Sequence, residues 1–194
     1  MEAYRLAVKF FIQDPSKVEL EEFVPEFHRW IQSRALDDHL LIDVGDYKHV
    51  HEGPGIVLVS HEANIYADLG GGRLGLLYVR KQPLPGFFAD RLRAVFKYAL
   101  QSAALLEDKQ SLQGRVQFRT DELIFRINDR LHAPNAQETF DRIKPDLEAF
   151  LRHLYGTPTI ELTYRPHPEN PFEVEIRLPE SLPIHTLLER AATA

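Results

Sequence analysis

The sequence predicts an α+β protein in which a mostly antiparallel sheet packs against two long amphipathic helices. Residues 74–165 are expected to follow a ferredoxin-like βαββαβ order, with a β-rich extension before them. Three observations carry this expectation. Short runs of apolar or alternating residues recur between glycine and proline turns. Two long stretches place apolar residues at helical spacing. From Leu74 to Arg165 the segments read strand, helix, strand, strand, helix, strand. A chain of 194 residues with 44% hydrophobic and 27% charged residues suits a single α+β domain spanning 1–194.

Tyr4 to Ile12 reads as a first strand, closed by the Asp14-Pro15 turn. Leu20, Phe23, Val24, Phe27, Trp30 and Ile31 share one helical face, and Pro25 inside that run predicts a break or a restart. Leu40–Val44 is a short strand, and Gly45–Gly55 a turn-rich loop. Ile56–Ser60 is a continuous apolar run, as in a strand buried on both faces. Asn64–Leu69 and Leu74–Arg80, joined by Gly70-Gly71-Gly72, form a hairpin.

Phe87–Glu107 is the most helix-like stretch, with Phe88, Leu92, Val95, Phe96, Ala99, Ala103 and Leu106 on one stripe. Val116 to Phe118 and Leu123 to Ile127 then alternate on either side of Thr120-Asp121, which predicts a second hairpin. Asn135 and Glu138 have capping-box spacing, opening a helix that stops at Gly156, with a kink expected at Pro145. Ile160–Arg165 and Phe172–Leu178 make a last strand pair around Pro166–Pro171, and Pro183–Ala192 a short terminal helix.

Composition narrows the chemistry. Without cysteine there are no disulfides, thiolate nucleophiles or cysteine-bearing metal sites, so any metal must sit on His, Asp or Glu. A net charge of -6 argues against a nucleic-acid partner. No apolar run approaches the roughly 20 residues of a membrane helix. Arg5 and Lys9 interrupt any signal-peptide core. The expectation is a cytoplasmic protein with no membrane or nucleic-acid partner, its edge strands available for a homodimer.

The run Leu40-Leu41-Ile42-Asp43-Val44-Gly45-Asp46-Tyr47 is followed by His49-Val50-His51-Glu52-Gly53-Pro54-Gly55, His61-Glu62 and Gly75-Leu76-Leu77-Tyr78. With Arg119–Leu123 and Asn128–Leu131, this pattern resembles a family of bacterial proteins of unassigned function. The resemblance implies no chemistry and transfers no catalytic residue.

Two constellations are candidates for a site. His49 and His51, alternate residues on an extended segment, could point at one metal. If the Gly53-Pro54-Gly55 turn folds back, His61 would be a third ligand and Glu62 the catalytic general base of a hydrolase using one divalent metal such as zinc. The competing expectation is that no cofactor is bound and the loop is solvated. Arg115, Arg119 and Arg126 would lie side by side if the second hairpin forms, making a row able to bind a small anionic ligand; a solvated face paired with Glu161, Glu173 and Glu175 explains them equally well.

Two further patterns carry less. Gly70, Gly72 and Gly75 satisfy G-x-G-x-x-G, but the segment that follows is β-like, which favours a plain turn. Ser60-His61-Glu62 has triad residue types, yet neighbours on a strand face opposite ways. The preferred reading is a soluble binding or assembly module that offers an open sheet face to a protein or small anionic partner.

Overall fold

A computed structural model describes residues 2–50, 53–108, 110–166 and 170–193. Within these residues eight strands form one sheet: β1 (Leu6–Ile12), β2 (Leu41–Asp46), β3 (Ile56–Ser60), β4 (Ala63–Asp68), β5 (Gly75–Arg80), β6 (Phe118–Ile127), β7 (Glu161–Tyr164) and β8 (Phe172–Arg177). Among the described residues four α-helices accompany them: α1 (Phe23–Ser33), α2 (Phe88–Glu107), α3 (Gln137–Tyr155) and α4 (Ile184–Thr193). The sheet order is β2-β3-β4-β5-β1-β6-β8-β7 and every pairing is antiparallel, so the α+β class expected from the sequence holds.

The ferredoxin-like order is corrected by one strand. Arg115 to Asn128 is not a hairpin; β6 runs unbroken through Thr120 and Asp121. Ile12 pairs with Phe118 and Phe10 with Leu123, so Arg119–Glu122 bulge out opposite Phe11 alone. The bulge makes the side-chain alternation change phase, and that phase change mimics a turn in the sequence. The Leu178 amide donates to Asp121 O and the Tyr155 hydroxyl to Thr120 O, which hold the bulge from outside. The order is therefore β5-α2-β6-α3-β7. Because β1 lies between β5 and β6, and β8 between β6 and β7, both helices still cross over between parallel strands around an intervening antiparallel one.

Local chemistry explains the other departures. The restart expected at Pro25 occurs at Phe23, after a 3-10 turn over Leu20–Glu22. Pro25 then falls in the first turn of α1, where backbone N–H groups have no helical partner to lose. Asn135 does not cap α3. Its side chain donates to the carbonyls of Asn170 and Pro171 and accepts from the Tyr164 hydroxyl, tying the helix start to the β7–β8 end. Gly156 does end α3, at φ +69. Half of the proline-rich turn, residues 167–169, lies outside the described residues.

One core cluster joins the helices to a single sheet face. Leu6, Val8, Phe10 and Ile12 of β1 meet Tyr78, Phe125, Val174 and Ile65 from other strands and Phe27, Phe96 and Leu147 from the helices. Ala7, Phe11, Val57 and Leu77 are buried too, but they stand outside that cluster, on the other face. Among the described residues no helix joins them there.

The connection from α1 to β2 is clasped to the helical side by His39. The ring Nδ1 lies 3.0 Å from Asp37 O, which can only accept, so Nδ1 carries the proton and Nε2 accepts from the Tyr78 hydroxyl at 2.9 Å. Burial lowers the imidazole pKa from its ordinary 6.5. The unfolded chain therefore binds a proton near pH 6.5 that the folded chain takes up only at lower pH. Stability is retained above about 6.5 and declines as the pH falls towards the folded value, by at most about 1.4 kcal/mol per pH unit. The melting temperature of a His39→Gln variant should fall less steeply between about pH 7 and 5 than that of the parent chain. Equal slopes would show that His39 is not the proton-sensitive group.

Candidate functional site: the open sheet face

The pairing register sets out the uncovered face row by row. One row crosses the sheet as Gly45, Val57, Tyr66, Leu77, Lys9, Ile124, Glu175 and Thr163. The next is Asp43, Val59, Asn64, Val79, Ala7, Arg126 and Glu173. Apolar residues thus gather over β3, β5 and β1, with Val59, Val79, Ile124 and Tyr66 half-buried. Charge gathers over β6 and β8. Gly45 leaves room for the ring of Tyr47, which would sit 2.8 Å from a Cβ there.

At the centre lies Lys9, only 1% exposed although it stands on the face without helices. Its ammonium donates to Asp68 Oδ2 at 2.5 Å and to Gly70 O at 3.0 Å, and lies 5.3 Å from the centre of the Phe11 ring. Burial pulls its pKa below the ordinary lysine value, against the pull of Asp68. Arg73 stacks on the other part of this cover, 3.6 Å from the Phe11 ring centre, and forks onto both Glu122 oxygens at 2.6 and 2.9 Å. That hydrogen-bonded pair, more than its burial, leaves the Glu122 carboxyl below its usual range. Long side chains lying flat on the sheet therefore substitute for a second layer.

The three arginines expected to line up are dispersed. Arg115 precedes β6 and is held by Glu22, Lys17 O and Leu112 O. Arg119 pairs with Asp121 at 2.9 Å and approaches Glu122 at 3.2 Å, inside the bulge. Arg126 pairs with Glu173 at 2.5 Å across β6–β8. The row depended on a hairpin that β6 does not form, and each guanidinium has a carboxylate of its own. Arg177 likewise meets Glu175 at 2.6 Å.

The histidine constellation is also spread out. His49 is exposed in the turn after β2, beside Tyr47, whose amide donates to Gly55 O. His61 is exposed at the opposite end of β3, where its amide donates to Leu40 O. The five residues of β3 separate these ends by about 16 Å. His51 and Glu52 lie outside the described residues. Glu62 accepts from the Leu40 amide at 2.8 Å; burial opposes ionisation, but that bond and others leave its pKa lowered. Among the described residues no three His, Asp or Glu side chains gather in a group able to hold a metal. Ser60 both donates to Ala63 O and accepts from its amide, a role in the β3–β4 turn. Gly70–Gly72 is the β4–β5 turn, with Gly71 and Gly72 at positive φ.

Known proteins add no neighbour. No family model, curated protein or solved structure matches the chain. The functional reading therefore rests on geometry. The sequence missed Lys9, Asp68, Arg73 and Phe11 because they meet only through pairing of distant strands. The signal within reach was a lysine in the middle of the apolar run Leu6 to Ile12, where a charged side chain needs a partner.

Proposed function

We propose that the protein is a binding or assembly module whose open sheet face receives a protein partner on the apolar strip formed by Val59, Val79, Ile124 and Tyr66. The observation that carries this reading is the unequal treatment of the two faces. One faces the helices across the core; the other keeps a half-buried apolar strip whose flanking charges are already paired. A partner laid on it would bury apolar surface without stranding those charges, the arrangement of a dry centre and polar rim found in protein interfaces.

A photo-crosslinking residue at Ile124 should give a discrete adduct in cells, and one at Arg142 on α3 should not. Val79→Glu should abolish that adduct while leaving the melting temperature within a few degrees. An adduct of twice the chain mass would make the partner a second copy. Equal adducts from both positions, or one indifferent to Val79→Glu, would overturn the reading.

A further inference from the structure

At the end of the sheet where β5 leaves, β1 enters and β6 ends, a cavity of about 750 Å³ opens between the segments Tyr4–Arg5, Val79–Pro83 and Asn128–His132. The charge there runs against the whole chain. The protein carries a net -6, yet Arg5, Arg80, Lys81 and Arg130 all line this cavity, with Asp129 as the one carboxylate among its lining residues. Asp129 is engaged within the wall itself: it accepts from the Tyr4 amide at 3.3 Å and from His132 Nδ1 at 3.0 Å. The side chains of Arg5 and Lys81 make no ion pair among the described residues.

The wall is built rather than frayed. Lys81 and Gln82 amides both donate to Glu62 O, at 2.9 and 3.2 Å, and the Asn128 amide donates to Arg5 O at 2.8 Å. Arg80 is 7% exposed; it shares the helical face of β5 with Tyr78 and braces the wall from behind, its Nε donating to Gln82 O at 2.9 Å. Asn128, also in the wall, has a buried Oδ1 without a hydrogen-bond partner among the described residues. Leaving a buried acceptor unmet is unfavourable, so a ligand carrying a donor beside its negative charge would satisfy it.

From this convergence we infer that the cavity is a binding site for a small oxyanion, a phosphate or carboxylate group of a metabolite-sized ligand, with Arg5 and Lys81 as its charge partners and Asn128 taking a hydrogen bond from a hydroxyl on the ligand. The Arg5 guanidinium can grip an oxyanion through paired N–H donors, and Lys81 adds a point charge. The site touches the open face only through Val79. It stands or falls without the protein-partner reading.

The test uses the full chain at constant ionic strength, titrated separately with inorganic phosphate and with succinate, and followed by calorimetry and ¹H–¹⁵N spectra. Saturable binding at millimolar concentration or below is expected, with the largest shifts at Arg80–Gln82 and Asn128–His132. An Arg5→Ser, Lys81→Ser variant should bind about tenfold more weakly or worse. Response to phosphate alone assigns a phosphoryl ligand, response to succinate alone a carboxylate, and response to both an oxyanion site of either kind. No saturable binding up to about 10 mM, shifts centred elsewhere, or unchanged affinity in the variant would overturn the inference. The shift map of the parent chain decides the matter even if the variant folds poorly.

Discussion

Replacing Lys9 with alanine is expected to destabilise the protein by about 3–5 kcal/mol, because it leaves the Asp68 carboxylate on the sheet with its principal partner gone. Lys9 is 1% exposed and the Asp68 side chain 9%, so water cannot readily take over the lost contacts. Gly70 O loses a donor as well, which loosens the turn over Gly70–Gly72. The loss should appear in urea as a lower midpoint with little change in slope. Removing both charges is a different matter. A Lys9→Met, Asp68→Leu double variant fills similar space without stranding either ion, and should recover most of the loss. If Lys9→Ala cost less than about 1 kcal/mol, the pair would be behaving as an exposed one, and the view of Lys9 as part of a makeshift second layer would be wrong.

Gly55→Ala should be nearly as damaging, at about 3 kcal/mol or more, through two separable causes. The residue has φ +75, a left-handed conformation that costs an L side chain about 1–2 kcal/mol. Its Cβ would also stand 2.2 Å from Ala67 O, a backbone atom in the neighbouring strand β4 that cannot retreat without breaking its ladder with β3. Gly71→Ala provides the comparison. That glycine has φ +71 but nothing within 4 Å of the added carbon, so only the conformational cost of about 1–2 kcal/mol should be seen. Equal losses in urea unfolding of the two variants would contradict the steric account.

Most elements were legible because their signals are local. The stripe from Phe88 to Leu106 and the glycine turn at Gly70–Gly72 each specify their structure within a few residues. The bulge in β6 was not, since Thr120-Asp121 is held in extended backbone by Ser181, Leu182 and Tyr155, far along the chain. The ferredoxin-like strand order and the arginine row both depend on a turn at the place where β6 bulges. The Asn135 cap failed for a related reason: a more distant set of partners at Tyr164, Asn170 and Pro171 outbid the local one. Alternation in the sequence placed charge on β6 and β8, and the expected pairing of these arginines with glutamates of the last strands holds at Arg126–Glu173, whose register only the strand pairing fixes.

The central place of β1 has a consequence for how the chain comes off the ribosome. Ala7 pairs with Val79 on one side and Arg126 on the other, so β1 is synthesised well before either neighbour exists. Until then a strand destined for burial on both faces, with a lysine lacking its counter-ion, has nothing to dock on. Closing loops of such length is slow, and exposed strand edges invite association in the interval. Nascent chains stalled before β6 should therefore be the aggregation-prone species, and a chaperone that shelters the first strand would act before the helices have anything to cover.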